Sequence, residues 1–251
     1  MCGIAGLIHR GKSSNVGNEL QAMLQALKHR GPDSTGYALY ADNDGQNFIM
    51  RFKVGENVGE GSSSINEDES VYDKRKELVD QMLKSLGAKV LKEEKLTPYS
   101  YRYEMQYDED LMDFSKKIES IESVEILSIG KSLELIKDLG DAQEVLDRYD
   151  LGKVRGTHAI GHARMATESG VDIKSAHPFW GYPFSDVSVV HNGQLTNYWN
   201  NRRMLENKGM RFMPECYFEL VAVYLDEKMI NVATLEEGMK DSLSGLDGVF
   251  T

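Results

Sequence analysis

Residues 1–11 read MCGIAGLIHRG, and the cysteine at position 2 governs how the rest is read. The run 3–8 is apolar, rich in Ile and Leu, and short, which predicts a buried strand. It starts almost at residue one, so the beginning of the chain is expected to be fixed inside the fold. The stretch lacks a basic leading region and its apolar run breaks within a few residues, so it is not read as a secretory leader. Removal of Met1, usual before a small residue, leaves a thiol and a free α-amino group on Cys2. An α-amine ordinarily titrates near 7.7–8.0 against about 10.4 for lysine, so part of it is unprotonated at neutral pH. It can take the thiol proton directly or through a water, and a terminal nucleophile then carries its own general base. The plainer reading is a small residue opening a strand.

Outward from this strand, residues 18–28 place Leu20, Met23, Leu24 and Leu27 at helical spacing, with Asn18 as candidate N-cap. HRGPDSTG, residues 29–36, is a turn cluster before a strand at 37–41. Residues 42–45 (DNDG) then predict a hairpin turn into a strand at 48–53. From about 55 to 152 the texture changes. A Gly/Ser/acid loop leads to a helix (71–86), two strands (89–93 and 98–107), a helix (109–121), a strand (124–129) and helical segments through 149. With the strand near 48 this order is β-α-β-β-α-β, which can close into a ferredoxin-like unit. Residues 55–152 are therefore expected to be an inserted α+β subdomain between 1–54 and 153–251. The last third predicts buried strands at 157–164 and 187–191 and helices at 215–228 and 235–244. Residues 248–251 look like the opening of another strand, so the chain is expected to continue in a longer polypeptide.

The chain has 251 residues, with 40 acidic against 29 basic side chains and a net charge of -11. A phosphate-tracking surface needs clustered Lys and Arg, so nucleic acid is an unsuitable partner, and an anionic membrane is equally so. With 41% hydrophobic and 27% charged residues, the composition is that of a globular protein rather than a disordered chain. No apolar run approaches the length that spans a bilayer. Two cysteines, Cys2 and Cys216, make no disulfide framework, and a reducing, cytoplasmic setting is expected.

Three further features carry chemistry. Arg164, in GHARMAT at residues 161–167, ends an apolar strand, where a guanidinium can grip a carboxylate through two parallel hydrogen bonds. Thr167 could add a hydroxyl donor to the same anion; the plainer alternative is an Arg paired with an internal acid. Asn192-Gly193 follows the strand near 188–191. An Asn-Gly pair is most often a turn. The functional reading is an oxyanion hole, with the Asn amide and the Gly N–H aimed at a developing negative charge, one such donor being worth about 3–4 kcal/mol.

Taken together, MCGIAG, HRGPDSTG, GHARMAT, AHPF and VVHNGQLTN, in that order, resemble the class II glutamine amidotransferases, which belong to the N-terminal nucleophile hydrolases. The resemblance covers residues 1–52 and 155–230. The insertion and the GPDSTG wording are similar, more narrowly, to amidotransferase subunits of the archaeal-type glutamate synthase and N-methylglutamate synthase group. The resemblance implies an α+β fold, a four-layer αββα sandwich, with Cys2 at the start of a central strand and the ferredoxin-like insertion beside it. It implies that Cys2 attacks the side-chain amide of glutamine, releasing ammonia and leaving a γ-glutamyl thioester for water. Asn192 and Gly193 would be the oxyanion pair, Arg164 and Thr167 the carboxylate clamp. Arg30 and Gly31 would sit beside the nucleophile. It further implies a partner synthase subunit that accepts ammonia and carries the flavin, with no cofactor in this chain, hence a hetero-oligomer.

Two positions depart from the family pattern. Tyr217 stands where an Asp that pairs with the substrate ammonium is expected, with Glu215 or Glu219 as candidate replacements. Glu168 stands beside the carboxylate clamp, where sugar-phosphate members often have His, and would repel a carboxylate unless it points away or meets the ammonium instead. Both bear on affinity for free glutamine. They keep two alternatives open: a module that binds or senses a glutamine-related ligand without turnover, and a hydrolase of another γ-glutamyl amide. His158 and His162 would meet on a helix and could hold zinc there, but their segment reads as strand and has no third ligand. His177 is read as a packing or turn residue.

Overall fold

The structure, a computed structural model, describes every residue except 1, 32, 56–67, 166–172, 174, 183, 211, 213–218, 231, 233 and 251. The longer strands are β1 (Gly3–Ile8), β2 (Ser34–Ala41), β3 (Phe48–Lys53), β4 (Lys89–Thr97), β5 (Ser100–Gln106), β6 (Glu125–Gly130), β7 (Leu133–Leu139) and β8 (Gly156–Arg164). Four short ones follow: β9 (Phe179–Trp180), β10 (Ser188–Val189), β11 (Gly193–Leu195) and β12 (Gly248–Phe250). The helices are α1 (Val16–Ala26), α2 (Glu69–Ser85), α3 (Leu111–Ile118), α4 (Ala142–Arg148), α5 (Tyr198–Asn207), α6 (Glu219–Met229) and α7 (Leu235–Leu243).

Two antiparallel sheets stack between helices. The first has the order β1-β8-β2-β7, the second β4-β5-β3-β6. On the first, Tyr37, Leu39, Ile136 and Ala159 point to one face, where Val16, Leu20 and Leu24 of α1 and Val145 of α4 cover them. On the second, Met50, Phe52, Tyr101 and Tyr103 meet Val79 and Leu83 of α2 and Phe114 and Ile118 of α3. The layers run helix, sheet, sheet, helix, so the protein is an α+β sandwich as expected, with the second sheet and its helices supplied by the ferredoxin-like unit.

The strand period of two explains what lies between the sheets. Arg51 and Lys53 alternate with Met50 and Phe52 and so face away from α2 and α3. Arg51 and Arg102 both bond Glu134 of β7, at 2.6 and 2.9 Å. Glu125 takes Lys137 at 3.0 Å and Lys53 at 3.4 Å. Burial alone would raise both carboxyls, but the flanking cations win and hold each at about 2. A charged layer thus joins the two sheets.

Strand pairing redraws the expected insertion. The βαββαβ unit forms with the order β6-β3-β5-β4, the ferredoxin-like arrangement, but it spans residues 48–130 rather than 55–152. β3 belongs to it, while β7 pairs with β2 from Ser34↔Leu139 to Tyr40↔Leu133 and α4 packs with α1. The reading of 130–149 as helical missed β7. The turn at 42–45 is likewise no hairpin: β2 pairs with β8 and β7, and β3 with β5 and β6, so the segment crosses between sheets. β1 is an edge strand among the described residues, and β8 takes the central place expected for it. No helix among the described residues is long and apolar enough to cross a membrane.

Candidate active site

Cys2 immediately precedes β1, whose register on β8 runs Gly3↔Ala163 to Ile8↔His158. One residue further, that register sets Cys2 beside Arg164 at the end of β8. The Cys2 Sγ lies 3.8 Å from the carbonyl oxygen of Met165, the next residue. On the other side of β8, Ser34 opens β2 opposite Arg164, and the Asp33 N–H donates to the Arg164 carbonyl at 3.1 Å. Gly31 explains how the 29–36 segment comes so close. A Cβ there would lie 2.4 Å from the Ala163 oxygen, so only glycine lets this backbone rest on the strand end.

The Asn-Gly corner arrives from a distant part of the chain. Asn192 Nδ2 donates to the Cys2 carbonyl oxygen at 3.1 Å, across 190 residues of sequence. Gly193, next to it, has φ +155, a conformation L side chains rarely adopt, and starts β11. The fold therefore gathers Cys2, Arg164, Gly31, Asn192 and Gly193 at one end of the first sheet. Arg30 ends the short 3-10 turn Lys28–Arg30 that leads to Gly31 and is half-buried. Arg164 is 4% exposed. Thr167, Glu168 and Tyr217 lie outside the described residues, as does Glu215. Glu219 opens α6 and is buried; it faces a cavity with Glu125, Lys137, Phe179 and Trp180, and none of Cys2, Arg164 or Asn192 lines it.

Sequence reasoning missed a group of buried imidazoles behind this corner. His162, two residues before Arg164, stacks on His177 with ring centroids 4.3 Å apart. The His191 N–H, one residue before Asn192, donates to His177 Nδ1 at 2.9 Å. Burial first, then Arg164 and His191, pull His162 down to about 3, and burial first, then His162, His191, Lys137 and Arg164, hold His177 well below the usual range. His162 and His177 are therefore neutral near pH 7. The signal was present in AHPF and VVHNG, but only the fold shows that the two segments meet. His158 stacks instead on Tyr40 at 3.9 Å. Among the described residues no group of three or more His, Cys, Asp or Glu is placed to hold a metal ion.

A cysteine whose carbonyl takes an Asn amide, with a glycine following that Asn and a buried arginine at the neighbouring strand end, is an arrangement suited to acyl transfer. No family model matches the chain. A Methanothermobacter thermautotrophicus protein with a provisional glutamine amidotransferase name is 38% identical over 259 residues, spanning all of this chain and 80% of its own length. The glutamine amidotransferase-like protein GlxB of Rhizobium meliloti is 31% identical over 256 residues, covering all of this chain and 78% of its own. Among solved structures, the allosteric regulatory enzyme of purine biosynthesis superposes with a TM-score of 0.53 at 20% identity, over all of this chain and 34% of that one. That likeness speaks to the fold, and the two relatives speak to the family. The chain belongs to the class II glutamine amidotransferases.

Proposed function

We propose that this chain is a glutaminase subunit that hydrolyses the side-chain amide of L-glutamine through a Cys2 thioester and hands ammonia to a partner synthase. The observation that carries the reading is the 3.1 Å contact between Asn192 Nδ2 and the Cys2 backbone, which sets the Asn-Gly corner against the nucleophile. The α-amine of a mature Cys2 takes the thiol proton, and Sγ adds to the amide carbon. The resulting oxyanion is met by the Asn192 amide and the Gly193 N–H. Collapse expels the nitrogen, which takes back the proton and leaves as ammonia. Water then opens the thioester and frees glutamate. Arg164 would hold the glutamine α-carboxylate through paired N–H donors, with Thr167 beside it. Arg30 and Gly31 would shape the wall next to the amine, and Glu168 would stand near the clamp.

Ammonia freed into bulk water is mostly protonated and no longer nucleophilic, so a shielded route to an acceptor is needed. The acceptor would be a glutamate-synthase-like subunit that carries flavin, joined to this chain in a hetero-oligomer in the reducing cytoplasm. This chain would hold no cofactor of its own. Glutamate release by the purified chain, compared with Cys2→Ala, tests the reading. Loss of at least 1,000-fold is expected, on the order of what removing a catalytic nucleophile costs. Equal rates would remove the nucleophile assignment.

A further inference from the structure

We infer that His177 is a positioning residue for the oxyanion corner: its neutral Nδ1 holds the His191 N–H and thereby fixes where Asn192 and Gly193 stand. The inference rests on the glutaminase reading and deepens it. Three observations support it independently of charge state. The His191 N–H donates to His177 Nδ1 at 2.9 Å, and His191 is covalently next to the Asn192 that reaches Cys2. The His177 ring is locked on both flanks, stacked on His162 at 4.3 Å and edge-on to Phe179 at 4.8 Å. Its backbone is pinned too, since the His177 carbonyl lies where a Cβ on Gly36 would be, 1.8 Å away.

The chemistry of the bond sets what the residue must be. Nδ1 can accept only when it carries no proton, so the ring must be the neutral tautomer protonated at Nε2. The surroundings agree with that state: the ring is 1% exposed and faces His162, His191, Arg164 and Lys137, all of which disfavour a second proton. An oxyanion donor works only within a few tenths of an ångström of the forming charge. A residue that locks the corner before substrate arrives acts on the transition state more than on binding.

Two substitutions separate positioning from bulk. His177→Leu fills the space without an acceptor, whereas His177→Asn keeps an acceptor oxygen near the Nδ1 position. In glutaminase kinetics, His177→Leu is expected to lower kcat about 100-fold with KM within about threefold, on the scale of losing one oxyanion donor. His177→Asn is expected to recover most of that loss. Equal losses in both variants, or a loss confined to KM, would overturn the inference. A second arm needs no turnover: the NMR signals of the His191 N–H and the Asn192 side-chain amide in the resting protein. They should shift in His177→Leu and return toward wild type in His177→Asn, and unmoved signals in the Leu variant would overturn the inference. Should the wild type hydrolyse no glutamine, the activity reading falls while this second arm still decides the role of His177.

Discussion

The residues around Cys2 make different demands on their surroundings. The thiol needs access, and it is only half-buried. In the proposed clamp, desolvation would strengthen the grip of Arg164 on a carboxylate, and the residue is buried at a strand end. His162 and His177 behind them are held uncharged by burial. That uncharged state makes stability depend on pH with a definite sign. His162 titrates at about 3 in the folded chain against an ordinary 6.5, so below 6.5 the unfolded chain binds a proton that the native one refuses. Its contribution is therefore complete above 6.5 and shrinks as the pH falls toward 3. Thermal midpoints of His162→Gln should fall less between pH 7 and pH 5 than those of wild type; parallel slopes would contradict the assignment. Cys2, Arg164 and the Asn192-Gly193 pair were legible as candidates because their chemistry is unusual for their positions. His177 was not, because an acceptor role depends on a donor fourteen residues away that only the folded chain presents.

At the scale of elements, periodicity identified α1, α2, α3, α6 and α7 and most long strands, since each buries a face with its own repeat. It failed at β7. In Leu133–Leu139 the apolar residues Leu133, Leu135, Ile136 and Leu139 fit helical spacing as well as a strand, and pairing with β2 decides between them. It failed again at the 42–45 turn, where local chemistry is right for a hairpin but the flanking strands have better partners in separate sheets. Of the short strands, β10 and β12 fall where strands were expected, at 187–191 and 248–251, whereas β9 and β11 carry too few residues for any period to show. Gly36 joins element to site: β2 can lie beside the His177 segment only without a side chain there. Gly36→Ala would put a Cβ 1.8 Å from a backbone oxygen, so it is expected to destabilise by about 1–3 kcal/mol and to lower glutaminase kcat as His177 shifts. Urea titration and turnover on the same preparations check both; an unchanged midpoint would mean the approach is looser than the structure has it.

For the whole molecule, the β-α-β-β-α-β order was legible while its bounds were not, because the unit shares a buried charged layer with the first sheet rather than hanging from a linker. Glu134 is the hinge of that layer, taking Arg51 and Arg102 with side-chain exposures of 5%, 6% and 15%. Glu134→Gln leaves Arg51 buried without its counter-charge and should cost about 3–5 kcal/mol. An exposed pair would be worth at most about 1 kcal/mol, so a loss that small in denaturant unfolding would mean the sheets do not exclude water there.

The central claim is that sulfur and amine on the mature first residue do the chemistry together. Intact-mass and peptide mass spectrometry after treatment with diazo-oxo-norleucine, a glutamine analogue that alkylates its target thiol, tests it most directly. The account predicts one adduct per chain, carried by a Cys2 that has no methionine before it, and protection by excess glutamine. A fully active protein that keeps Met1, or an adduct on any other residue, would contradict it.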